Sequence, residues 1–100
     1  MPKISDIAGK VRSKNAGPFW LTIDIFCDSR DAYDRVRNGL NTSAVAALLG
    51  THLQTLKRFD MDELNVVKLS IPRPEVQGTI RDRDMHGAAL ASLVAELEIP

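Results

Sequence analysis

The sequence predicts an α+β domain in which helices pack on one face of an antiparallel sheet. Three observations predict it. Residues Phe19 to Cys27 alternate apolar and mixed positions as a strand does, and two apolar runs, Leu53–Phe59 and Leu64–Ile71, flank a polar turn as a hairpin does. Between and after them lie capped segments with helical spacing. One hundred residues make a single domain, 1–100, because two would each be too small to bury a core.

The elements follow in order. Ile4, Ile7, Ala8 and Val11 fall at i, i+3, i+4 and i+7, which predicts a short helix ending by about Ser13. The run Arg12-Ser13-Lys14-Asn15-Ala16-Gly17-Pro18 then reads as a basic loop closed by a Gly-Pro turn. In the strand from Phe19 to Cys27, Phe19, Leu21, Ile23 and Ile25 form a core face, while Trp20, Thr22, Asp24 and Phe26 point the other way. Asp28 or Ser29 caps the next helix, which runs to about Asn38 and stops at Gly39. Its buried stripe is Ala32, Tyr33, Val36 and Leu40, and Asp31 can pair with Arg35. Asn41-Thr42-Ser43 restarts a helix that Gly50 closes. The hairpin turns at Asp60–Glu63, and Pro72 and Pro74 stop its second strand because neither can donate to a ladder. Glu75 to Asp84 reads as a long polar loop, Met85 to about Ser92 as a helix, and Ala95 to Ile99 as a half-buried strand. After the first helix the order is βαββαβ, a ferredoxin-like sandwich with an extra N-terminal helix.

Composition excludes several functions. Thirteen Lys and Arg balance thirteen Asp and Glu, so the chain as a whole carries no basic nucleic-acid footprint. No apolar run reaches membrane-spanning length. One cysteine, Cys27, allows no internal disulfide, and the start lacks a secretory signature. Both point to a reducing cytoplasm. The 44% apolar fraction with 26% charged residues is that of a folded globular chain.

Candidate functional residues fall in four groups. The basic loop gathers Arg12, Ser13, Lys14 and Asn15, cations and small donors that suit a carboxylate or phosphate; it lacks P-loop spacing. Arg73, fixed between Pro72 and Pro74, is a second anion-binding candidate. Asp82, Asp84 and His86 alternate, so an extended backbone turns all three to one side, where they could share a proton or hold a divalent ion. The alternative for this trio is internal: Arg81 and Arg83 neutralise the aspartates and Asp84 caps the following helix. No distant ligand accompanies it, and no metal or cofactor is expected. Trp20 and Phe26 lie on a sheet face without helices of its own, where another subunit, the first helix or the long loop covers them. Cys27 reads as core and His52 as surface.

Arg12-Ser13-Lys14-Asn15-Ala16-Gly17-Pro18-Phe19, with Ser70-Ile71-Pro72-Arg73-Pro74 and the Asp82-x-Asp84-x-x-Gly87-Ala88 run, resembles a family of small bacterial proteins of unknown function. Its members are encoded beside, or fused behind, large proteins of the acyclic terpene utilisation (AtuA-like) type. The resemblance covers nearly the whole chain. It departs at Arg81, where the family pattern has glycine, and at His86, where tyrosine is frequent. It implies a ferredoxin-like small subunit working with an AtuA-like large subunit in carboxylic acid or acyl-CoA catabolism, with hydration, dehydration or isomerisation as candidate chemistries. Arg12, Lys14, Asn15, Arg73, Asp82 and Asp84 carry over as candidate functional residues. The expectation is therefore an accessory subunit that offers an anion-binding loop to a carboxylate-bearing substrate. The alternative is a self-associating structural domain with no site.

Overall fold

The computed structural model describes residues 2–17, 19–72 and 89–99. Its elements are α1 (Ile4–Ile7), β1 (Lys10–Asn15), β2 (Trp20–Phe26), α2 (Arg30–Gly39), α3 (Thr42–Leu49), β3 (Lys57–Met61), β4 (Val66–Pro72) and α4 (Ala89–Ala95). The four strands form one antiparallel sheet in the order β1-β2-β4-β3. The α+β class holds. What differs from expectation is the source of the fourth strand.

That strand is β1, where the sequence reading put the end of a helix and a basic loop. The helix stops at Ile7, and the Gly9 amide then donates to the Phe26 carbonyl at 2.9 Å, which starts the ladder with β2. The helical spacing had counted Val11, yet Val11, Ser13 and Asn15 also alternate with Lys10, Arg12 and Lys14. That period-two pattern prevails because pairing with β2 satisfies the backbone of every second residue. Ala16 and Gly17 form a bend after β1, with Gly17 at a φ of 80° that favours glycine.

The tail accordingly forms no strand. Helix α4 continues to Ala95, and Lys3 and Glu98 make a single β-bridge. Around that bridge the Ile4 amide donates to the Leu97 carbonyl at 2.8 Å, the Ile99 amide to the Pro2 carbonyl at 2.9 Å, and Lys3 Nζ meets Glu96 at 2.6 Å. The β3–β4 hairpin also sits slightly later than expected. Leu53 to Thr55 is a turn, and the chain reverses at Asp62–Asn65, with Asn65 at a φ of 54°. The expected loop 75–84 and the first residues of the expected helix at Met85 lie outside the described residues.

Helices cover one face of the sheet. Leu21, Ile23 and Ile25 of β2 and Val67, Leu69 and Ile71 of β4 are buried there against Ile4, Tyr33, Val36, Val45 and Val94. Phe19 is not among them: it precedes β2 and is 60% exposed. Ser29 caps α2 by accepting from the Ala32 amide, and Asn41 caps α3 by accepting from Ser43 and Ala44. The i,i+4 pair on α2 is Arg30–Asp34 at 3.4 Å rather than Asp31–Arg35. Arg58 secures the end of α2 from the sheet, its guanidinium donating to the Arg37 and Leu40 carbonyls at 2.7 Å each. Those are helix-terminal carbonyls that lack intrahelical partners and favour a cation.

Candidate functional site

The sequence candidates Arg12, Lys14, Trp20 and Phe26 lie on the sheet face that the described helices leave open, and the strand register writes its composition. Residues directly opposite one another share a face, so four cross-strand rows can be read off. The first is Lys10, Phe26, Val66 and Met61; the second Arg12, Asp24, Lys68 and Phe59. The third is Lys14, Thr22, Ser70 and Lys57, and Trp20 opposite Pro72 ends the series. Trp20 is 37% exposed, Phe26 39% and Phe59 49%.

The basic run therefore divides. Arg12 and Lys14 stand on the open face, while Ser13 and Asn15 lie opposite Ile23 and Leu21 on the helix side. Ser13 has a structural partner there: its Oγ accepts from the Ala91 amide of α4 at 3.1 Å. That bond ties α4 to strand β1 on the helix side of the sheet. Arg12 and Lys14, with Asp24 and Phe26, border a shallow hollow of about 290 Å³. A second hollow of about 270 Å³, lined by Gly9, Lys10, Arg12, Phe26 and Asp28, adjoins it.

Five cations and one carboxylate project from the strands on this face, in a chain whose total charge is zero. The ion pairs among the described residues are Lys3–Glu96, Arg30–Asp34, Arg37–Asp62 and Arg58–Asp60, none of them on the open face. Lys57 instead holds its Nζ 5.4 Å from the centre of the Trp20 ring, a cation–π distance. Within the same surface the Thr22 hydroxyl is buried with no hydrogen-bond partner, although a buried hydroxyl ordinarily has one.

The remaining candidates are quickly placed. Cys27 is half-buried, and burial first, then the neighbouring Asp28 carboxylate, pushes its thiol up from the ordinary range, away from nucleophilic use. His52 is exposed at the turn before β3. Arg73, Asp82, Asp84 and His86 lie outside the described residues. Among the described residues no group of three or more His, Cys, Asp or Glu could hold a metal ion, and no helix is long and apolar enough to cross a membrane.

The open face also brings together residues from two of the three stretches on which the family resemblance rested. Lys14 and Ser70 flank Thr22 from opposite sides, and Trp20 faces Pro72. A profile of a domain of unknown function, DUF4387, matches residues 4–98. The chain belongs to the DUF4387 family. No curated protein and no solved structure is detectably similar to it.

In this DUF4387 domain, sequence reasoning placed Trp20, Thr22, Asp24 and Phe26 on the face, and it singled out Arg12 and Lys14 but assigned them to a loop rather than to strand β1. It missed Lys10, Lys57, Phe59, Met61 and Lys68. Lys10 was legible in the Lys10-x-Arg12-x-Lys14 alternation. The β3 and β4 residues join the surface only through pairing across more than thirty intervening residues, and no local signal reports that.

Proposed function

We propose that this domain is a small accessory subunit that docks through its open sheet face on a larger, AtuA-like protein. There it presents Arg12 and Lys14 to a carboxylate-bearing substrate, an acid or acyl-CoA undergoing hydration, dehydration or isomerisation. The observation that supports this most is the juxtaposition, on the sheet face opposite the described helices, of exposed Trp20 and Phe26 with Arg12 and Lys14, which join none of the ion pairs among the described residues. An unpaired guanidinium orients a carboxylate by two parallel hydrogen bonds, and exposed aromatics supply apolar contact area to a partner. Arg73, next to Pro72 in the sequence, adds a further cation in this reading. Asp82, Asp84 or His86 moves the proton. The hollows are shallow, so a larger partner supplies the rest of the pocket.

Self-association through the same face is disfavoured by charge. Two copies face to face would set five cations against five, with one carboxylate each in compensation. The cations of edge strand β1 likewise discourage pairing with a second β1.

The test is native mass spectrometry of the chain co-expressed with a genomic neighbour of AtuA-like type. A stable heteromer that Trp20→Ala dissociates, while the melting temperature of the free chain stays unchanged, is the expected result. Arg12→Ala leaves assembly intact and lowers turnover of the complex. A homo-oligomer that ignores the neighbour would overturn the reading.

A further inference from the structure

We infer that the row Lys14–Thr22–Ser70–Lys57 is a carboxylate-binding site, with the Thr22 hydroxyl as its inner hydrogen-bond donor. The inference deepens the proposed function and rests on it for the choice of a carboxylate. Its starting point is Thr22. The residue is 6% exposed, and its Oγ1 is shut off from solvent without any partner. A polar atom in that state is costly to the free chain, and its natural complement is a group that arrives on binding.

The neighbours say what that group is. Thr22 lies between Lys14 and Ser70, and Lys57 closes the row beyond Ser70. An ammonium can only donate, and a hydroxyl can donate, so the row offers two charged donors and two neutral ones. It contains no acid. The one carboxylate on the face, Asp24, sits in the next row between Arg12 and Lys68 and forms no ion pair with either. Lys57 is held near the row by the Trp20 ring. An acceptor-only anion bridging the two hydroxyls with an ammonium at each end satisfies every member, and a carboxylate is such a group. Lys14 is exposed and directly beside Thr22, and its long stem can turn towards an arriving ligand.

The carboxylate has two possible sources, a free acid or an Asp or Glu side chain of the larger protein. Thr22→Val separates them, because it keeps the β-branched shape that suits a strand and removes only the hydroxyl. Succinate titrated into the isotope-labelled free chain is the first arm. Saturable shifts at the Thr22, Ser70 and Lys14 amides, with affinity about fivefold weaker in Thr22→Val, establish the site for a free acid. The second arm is the co-expressed heteromer. If succinate gives no saturable shift but Thr22→Val weakens assembly, the carboxylate belongs to the partner. In both cases Thr22→Val melts higher than wild type without ligand, since the unpaired hydroxyl is gone.

Three results overturn the inference. They are equal succinate affinity in both proteins, no effect in either arm, or a lower melting temperature of Thr22→Val, which would reveal an internal partner for the hydroxyl. The two proposals fail separately. If no heteromer forms, the accessory-subunit reading falls and the succinate arm alone decides the site. If the heteromer forms and is indifferent to Thr22, with no succinate binding, the subunit reading stands and the site does not.

Discussion

Tyr33 is the only tyrosine in the chain, buried at the foot of α2 with its hydroxyl donating to Asp62 Oδ1 at 2.5 Å. The Arg30 and Arg37 guanidiniums lie 5.3 and 6.0 Å from its ring centre. Burial, and then the bond to Asp62, push the phenol from 10.0 up to about 12. The folded state thus holds this proton more tightly than the unfolded chain. Its contribution to stability is complete below pH 10 and is lost as pH rises towards 12. Asp62 behaves in the opposite sense. The Tyr33 hydrogen bond, helped by Arg30 and Arg37, holds its carboxyl below the ordinary 3.8. That contribution is present above 3.8 and fades as acid protonates the folded carboxylate. Because one residue supplies the whole phenolate absorbance, an alkaline spectrophotometric titration reads Tyr33 directly. The expected midpoint is near 12, and Asp62→Asn lowers it while burial keeps it above 10. A wild-type midpoint at 10 would show that the ring is not enclosed as described.

At the scale of elements, β1 does two jobs with alternate residues. Ser13→Ala removes the acceptor that Ser13 offers to α4 and is expected to cost about 1 kcal/mol. Lys14→Ala, on the opposite side of the same strand, stays within about 0.5 kcal/mol; urea denaturation of the two variants measures the contrast. This strand also marks where sequence reading succeeded and where it did not. Strand β2, helices α2 and α3 and strand β4 were legible because each announces itself locally, through alternation, through caps at Ser29 and Asn41, or through a terminal proline. Residues 4–15 carry two periods at once, and only the ladder with β2 decides between them. The tail had the converse problem. Its alternation over Ala95–Ile99 is genuine, but no long ladder receives it, and a single bridge at Lys3 is what forms. The aromatic half of the candidate site followed from β2 alone. Its charge needed the register of all four strands, which is why a composition of thirteen against thirteen concealed a strongly cationic face.

The whole molecule is sealed where its two ends meet. Ile4 and Ile99 are both buried in the core, and the Lys3–Glu98 bridge, the Lys3–Glu96 ion pair and two backbone hydrogen bonds join the segments that carry them. A domain of this size has little stability to spare. Ile99→Ala, which opens a cavity next to α1, is therefore expected to cost about 2–5 kcal/mol. A shift of the denaturation midpoint within experimental error would mean that the tail does not belong to the core. Leu93→Ala, at an exposed position of α4, serves as the control.

The meeting of the ends has a topological consequence. Joined across Ile99 and Pro2, whose backbones already share a hydrogen bond, the domain is in effect a ring, and the order in which its elements are translated becomes secondary to their arrangement. Such a ring tolerates circular permutation, and it can be carried as an insert in a loop of a host protein, both connections leaving from one point. That point lies on the helix side, with Ile4 and Ile99. A domain grafted in this way would hang from its back, with the cationic face of the sheet turned outward.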